Sequence, residues 1–84
     1  MLFRSARADV YAFGVVMFEM LTGQLPFTGG VGELIEAHLL RPPDPPSSRN
    51  PQVPVAWDAI VLRCLEKARD DRFTSMDEIG RAHV

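Results

Sequence analysis

Asp9-Val-Tyr-Ala-Phe-Gly-Val-Val-Met-Phe-Glu-Met-Leu-Thr22, followed by Gly23, is the stretch that decides the fold of this chain. It shows no strict alternation of apolar and polar residues and is too long for an ordinary strand, so its spacing predicts a helix. Asp9 lies where an N-terminal acid satisfies orphan amides and favours the helix dipole. Gly23 lies where a left-handed residue stops a helix. The β-branched and aromatic residues of the block oppose this on propensity alone. The block is apolar on nearly every side, and such a helix belongs inside a large core. The whole chain has 84 residues. A chain this short buries only about 60–65% of its unfolded surface, which limits it to one modest core.

Working outward, Gln24-Leu-Pro-Phe-Thr-Gly-Gly30 is a turn-rich connector. Val31–Leu40 places Val31, Leu34, Ile35 and Leu39 at helical spacing with Glu33 and Glu36 on the other side, a short amphipathic helix. Residues 41–54 hold six of the seven prolines. No regular element is expected there, only extended or polyproline backbone. That stretch reads as a rigid interhelical loop in preference to an SH3-type ligand. From Val55, the residues Trp57, Ile60, Val61, Cys64 and Leu65 recur at three and four positions, predicting a helix that ends near Lys67. A polar run, Ala68-Arg-Asp-Asp-Arg72, follows. Ser75 and Glu78 have capping-box spacing, yet Gly80 and a weakly apolar tail predict that the helix they announce fails to form. The fold class is all-α, about four helices with a Pro-rich loop.

The chain is 46% hydrophobic and 24% charged, with a net charge of −2. That balance lacks the basic footprint of a nucleic-acid binder. Val10–Phe18 is the longest apolar stretch and is far short of the roughly 20 residues that cross a bilayer. Met1-Leu-Phe-Arg4 has no secretory h-region. Cys64 stands alone, so no internal disulfide is possible and a reduced, cytoplasmic setting is expected. Lys67 is the only lysine, a composition that points to GC-rich coding.

No reaction motif is present: there is no GxGxxG, no GxxxxGK[ST] and no GxSxG. Gly29-Gly30-Val31-Gly32 precedes a helix as an anion site does, but it lacks the Walker lysine and reads as a flexible connector. His38, His83 and Cys64 lack zinc-site spacing. Asp70 and Asp71, flanked by Arg69 and Arg72, read as a solvated loop. Catalytic, cofactor-binding and metal-ligating residues are therefore all expected to be absent.

Asp9-Val-Tyr-Ala-Phe-Gly-x-x-x-x-Glu-Met-Leu-Thr-Gly23 with Leu25-Pro-Phe27 resembles the central large-lobe helix of eukaryotic-like protein kinases. Cys64-Leu-Glu-Lys67 followed by Arg72-Phe73 is similar to a later motif of the same domain, in the correct order. The likeness runs from about Arg7 to Glu78 and has the flavour of bacterial serine/threonine kinases. Arg69 stands where the family often has proline. By this resemblance Asp9 matches the acid that holds the catalytic loop through its amides. Val16 and Met20 match anchors of the apolar column below the adenine pocket, and Glu19 matches an acid facing the substrate groove in some members. Arg72 matches the arginine that pairs with the glutamate of an Ala-Pro-Glu motif. That motif lies outside these residues, so Arg72 is expected to be unpaired.

The family's phosphoryl transfer uses a glycine-rich loop, a strand lysine, a His-Arg-Asp loop and an Asp-Phe-Gly metal ligand. None occurs here. The resemblance thus implies ATP, Mg²⁺ and a protein substrate for a parent kinase, with any membrane anchor of that parent outside this segment. It implies no nucleotide binding by the segment alone. Residues 1–78 form a partial kinase domain, and its partner is the remainder of that domain. Residues 79–84, Ile79-Gly-Arg-Ala-His-Val84, are expected to be non-native. The codons ATC GGA AGA GCA CAC GTC of a common sequencing adapter would encode them, and the underlying nucleotides decide whether they do. With the surrounding lobe absent, the apolar area around Phe13, Val16, Met17 and Met20 is expected to be exposed and the chain marginal in stability. The competing reading is a stand-alone helical interaction module displaying its Glu33/Glu36 helix. A helix-turn-helix DNA binder is disfavoured by the acidic balance.

Overall fold

A computed structural model describes residues 6–83 of the chain. Five helices follow one another: α1 (Ala6–Thr22), α2 (Val31–Leu40), α3 (Pro46–Arg49), α4 (Val55–Cys64) and α5 (Met76–His83). A single 3₁₀ turn, Arg69–Asp71, lies between α4 and α5. No strand occurs among the described residues.

Helix α1 starts at Ala6, so Asp9 sits within its first turn and not ahead of it. It ends as expected. Gly23 has φ 74°, and its N–H donates to Glu19 O at 2.7 Å. The Thr22 hydroxyl donates to Phe18 O and accepts the Gln24 N–H, closing the last turn.

The core forms where α1 crosses α4. Val10, Ile60, Cys64, Phe73 and Ile79 make one buried cluster, and Phe18, Val61 and Leu65 a second. Gly14 lies at the crossing. A Cβ there would sit 2.6 Å from Cys64 Cβ and 3.0 Å from Leu65 Cδ2, so only glycine allows the two helices this close. Of the four α1 side chains expected to be exposed, Val16 (51%) and Met20 (79%) are. Phe13 and Met17 are not: they are half-buried against the core. Phe13 packs against the first cluster and Met17 against both.

Two elements depart from the sequence expectation. The Pro-rich stretch is not wholly irregular, because α3 forms at its centre. Pro46 occupies the first helical position, where its missing N–H costs nothing and its fixed φ favours the helix. The Ser47 N–H, which needs an acceptor, finds Asp58 Oδ1 of α4 at 2.9 Å, and the Ser47 hydroxyl donates to the other oxygen. Asn50 Nδ2 then donates to Leu21 O at 2.9 Å, while Arg49 donates to Leu25 O and Pro26 O and lies over the Phe18 ring. With Pro46 buried, this loop is a clasp across the end of α1.

The last helix also forms. Ser75 Oγ accepts the Glu78 N–H at 3.4 Å, and Glu78 Oε1 accepts the Thr74 N–H at 2.8 Å. The capping box therefore closes one residue earlier than its standard form. These bonds and the burial of Ile79 outweigh the roughly 1 kcal/mol that Gly80 costs a helix.

Asp58 is the one buried charged residue among those described, and both its oxygens serve Ser47. Asp58→Ala should lose about 1–3 kcal/mol in urea unfolding, through two orphaned donors. An unchanged midpoint would show that α3 is not held by this cap.

Candidate functional site

The residues singled out by sequence occupy two separate places. Asp9, Val16, Glu19 and Met20 are all exposed on α1. Asp9, Phe13, Val16 and Met20 follow the spacing i, i+4, i+7, i+11, which lines one helical stripe. Asp9, Val16 and Met20 lie away from Val10, Gly14 and Phe18, the buried face of α1, while Phe13 packs against the core.

Arg72 lies elsewhere, and it is not unpaired. Its Nε donates to Glu66 O at 2.6 Å, Nη2 to Lys67 O at 3.2 Å and Nη1 to Arg7 O at 3.2 Å. Its guanidinium also lies 4.7 Å from the Tyr11 ring centroid. Main-chain carbonyls satisfy its guanidinium, because the loop after α4 folds back onto the start of α1. Among the described residues Arg72 makes no ion pair. Its charge is met by carbonyl dipoles and an aromatic face.

Beside it lies a cluster that sequence reasoning missed. Tyr11 Oη and His38 Nδ1 are 2.6 Å apart, joining α1 to α2. Lys67 Nζ donates to Ala37 O at 2.8 Å and stands 4.6 Å from the Phe27 ring centroid. The His38 ring meets both Tyr11 and Phe27 edge-on. Burial, partly opposed by Arg72, holds the Tyr11 phenol above its ordinary pKa of 10.0. Burial and then the Lys67 charge hold His38 below 6.5. Burial and then Arg72 lower Lys67, with Glu66 pulling the other way. Tyr11 and His38 are 27 residues apart, so no motif spacing could have revealed the pair. The lone lysine was the only signal.

The remaining sequence candidates lie outside this cluster. Cys64 is fully buried, and burial raises its thiol to about 11 against partial relief from Arg63, so it stays protonated. Asp70 is a solvated residue paired with Arg7 at 3.1 Å. Among the described residues no three His, Cys, Asp or Glu side chains converge to hold a metal. Gly29, at φ 132°, is covered by the Glu33 side chain, whose Oε2 would lie 2.8 Å from a Cβ on Gly29. A carboxylate over the glycine turn repels phosphate. The Gly29–Gly32 turn is therefore a poor cradle for a bare phosphate.

An all-α unit with this motif order defines one class. The sequence model for protein tyrosine and serine/threonine kinases matches residues 2–81, and the chain belongs to the protein kinase family, as a partial, helical part of the domain. Its likeness is to bacterial serine/threonine kinases. It is 48% identical to the serine/threonine-protein kinase Pkn1 of Myxococcus xanthus over 71 residues, 83% of this chain and 10% of that protein. With PknH of Mycobacterium tuberculosis it shares 39% over 77 residues, 90% of this chain and 12% of the relative. With PknE of the same species it shares 36% over 76 residues, 90% of this chain and 13% of the relative. The chain thus spans only 10–13% of these relatives. Among the described residues no helix is long and apolar enough to cross a membrane.

Calorimetric titration of the purified chain with Mg-ATP should show no binding. Micromolar affinity would contradict the reading of the glycine turn and of the missing ligand set.

Proposed function

We propose that this chain is the scaffold portion of a serine/threonine protein kinase whose whole protein transfers the γ-phosphate of ATP to protein hydroxyls. One observation carries the reading. Helix α1 buries one face on α4 while Asp9, Val16 and Met20 stay exposed away from it, with Val16 at 51% and Met20 at 79%. An apolar stripe headed by an acid suits a surface that other parts of a domain cover.

In that role Asp9 accepts amide N–H groups of the catalytic loop and fixes its geometry without touching substrate, which makes it a positioning residue. Val16 and Met20 support the apolar column beneath the nucleotide. Glu19, exposed on α1, attracts basic residues of a protein substrate. Arg72 anchors the start of α1 through Arg7 O, two residues before Asp9, and so sets where that carboxylate stands. A glutamate from an Ala-Pro-Glu motif is the further partner its charge accommodates. On this reading the chemistry itself belongs to the rest of the domain, and the segment supplies rigidity.

A chimera tests this. The matching segment of Pkn1 is replaced by this chain, and ATP-dependent phosphorylation of serine and threonine is measured. Activity should persist. Asp9→Asn in the chimera should lower kcat by about a hundredfold with the KM for ATP little changed, as expected when a catalytic loop is displaced. Met20→Asp should remove activity. A folded but inert chimera, or full activity in Asp9→Asn, contradicts the proposal.

A further inference from the structure

Helix α2 is the least embedded of the long elements. Ala37 is its only buried residue, while Val31, Ile35, Leu39 and Leu40 are all more than half exposed. Little apolar burial therefore fixes its position, and such elements open most readily. Two polar contacts attach it instead: Tyr11 Oη with His38 Nδ1 at 2.6 Å, and Lys67 Nζ with Ala37 O at 2.8 Å. The Phe27 ring links them, edge-on to His38 and beneath the Lys67 ammonium.

We infer that His38 is a proton-operated latch: protonation of its Nδ1 breaks the bond to Tyr11 and releases α2 from α1. In the neutral ring Nδ1 accepts the Tyr11 hydroxyl proton and Nε2 carries the ring hydrogen. A proton arriving at Nδ1 removes that acceptor, and the hydroxyl must turn away. It also places a positive charge beside Lys67, whose ammonium holds the carbonyl of the preceding residue. One protonation thus weakens both attachments.

The surrounding charges all favour the neutral ring. From α1 comes Tyr11, with the Arg72 guanidinium over it. From the loop after α4 comes Lys67, whose own neighbour Glu66 offsets it only in part. On α2 itself, Glu36 pairs with Arg41 at 3.7 Å and Glu33 covers Gly29, so neither carboxylate is turned to the imidazole. The ring is only half-buried, so protons reach it without unfolding the core. The sign follows. A histidine held below its ordinary 6.5 binds fewer protons in the latched state, so the latch is at full strength above that value and is lost as acid rises below it. This inference is independent of the kinase reading.

Amide hydrogen exchange of the full chain, corrected for intrinsic rates, tests it between about pH 7.5 and about pH 5, the range over which histidine titrates. The opening of residues 31–40 should rise as the pH falls below about 6.5, by no more than about tenfold per pH unit, and level off once His38 is protonated in the latched state too, while residues 55–64 hold their protection. His38→Gln keeps an acceptor for Tyr11 but cannot titrate, and should hold α2 protected throughout. Imidazole nitrogen shifts at neutral pH should place the hydrogen on Nε2. Four results overturn the latch: a flat response or an unprotected α2 at neutral pH, the same acid response in His38→Gln, joint loss of protection in α4, or a hydrogen on Nδ1.

Discussion

The structure depends on one close approach, the α1–α4 crossing at Gly14. Packed helices usually keep their axes about 8–10 Å apart, because side chains fill the space between them. Here a Cβ on residue 14 would stand 2.6 Å from Cys64 Cβ, a contact that real atoms do not make. The missing side chain lets the 61–65 turn of α4 lie flush on α1, and Val61, Cys64 and Leu65 are then completely buried without large side chains to fill a gap. Everything after α4 inherits that placement. The chain emerging from Leu65 is already beside the start of α1, so Arg72 reaches Arg7 O and Lys67 reaches Ala37 O.

That crossing also divides α1 into two faces with different duties. Val10, Gly14 and Phe18 serve the chain's own core. Asp9, Val16, Glu19 and Met20 do not, which leaves them available for the scaffold role proposed above. A helix that looked too apolar for a chain this short is therefore half satisfied from within. Phe13 and Met17 belong to the inner half by virtue of their contacts with the core clusters. The belt of cations on aromatic rings, Arg49 on Phe18, Arg63 on Phe73, Lys67 on Phe27 and Arg72 on Tyr11, seals the rims of that inner half. Each stem covers apolar surface while the charged head stays near water.

Much of this was legible in the residues. Gly23 announced the end of α1, and the three- and four-residue spacing of Ile60, Val61, Cys64 and Leu65 identified the buried face of α4. The bounds of α2 were also readable, from Val31 to Leu40. What was not legible shares a cause: it depends on groups the sequence does not spell. Pro46 ends a helix and begins one equally well, and only the acceptor from Asp58 decides for α3. Arg72 found its partners in three carbonyls, which every residue carries and no letter marks. The shifted cap of α5 rests on the Thr74 amide for the same reason. Periodicity showed that α2 has an apolar stripe but not that the stripe would stay uncovered. Tyr11 and His38 meet across 27 residues, in a packing of α1, α2 and Phe27 that no spacing marks.

The most direct measurement is a double-mutant cycle between positions 14 and 64, read by denaturant unfolding of the chain. Gly14→Ala should cost about 1–3 kcal/mol by overpacking against Cys64. In the Cys64→Gly background, where the opposing Cβ is gone, the same substitution should cost less by about 1–2 kcal/mol, a coupling of the size neighbours in contact show. An equal cost in both backgrounds would contradict the close α1–α4 crossing, and with it the placement of every element that follows.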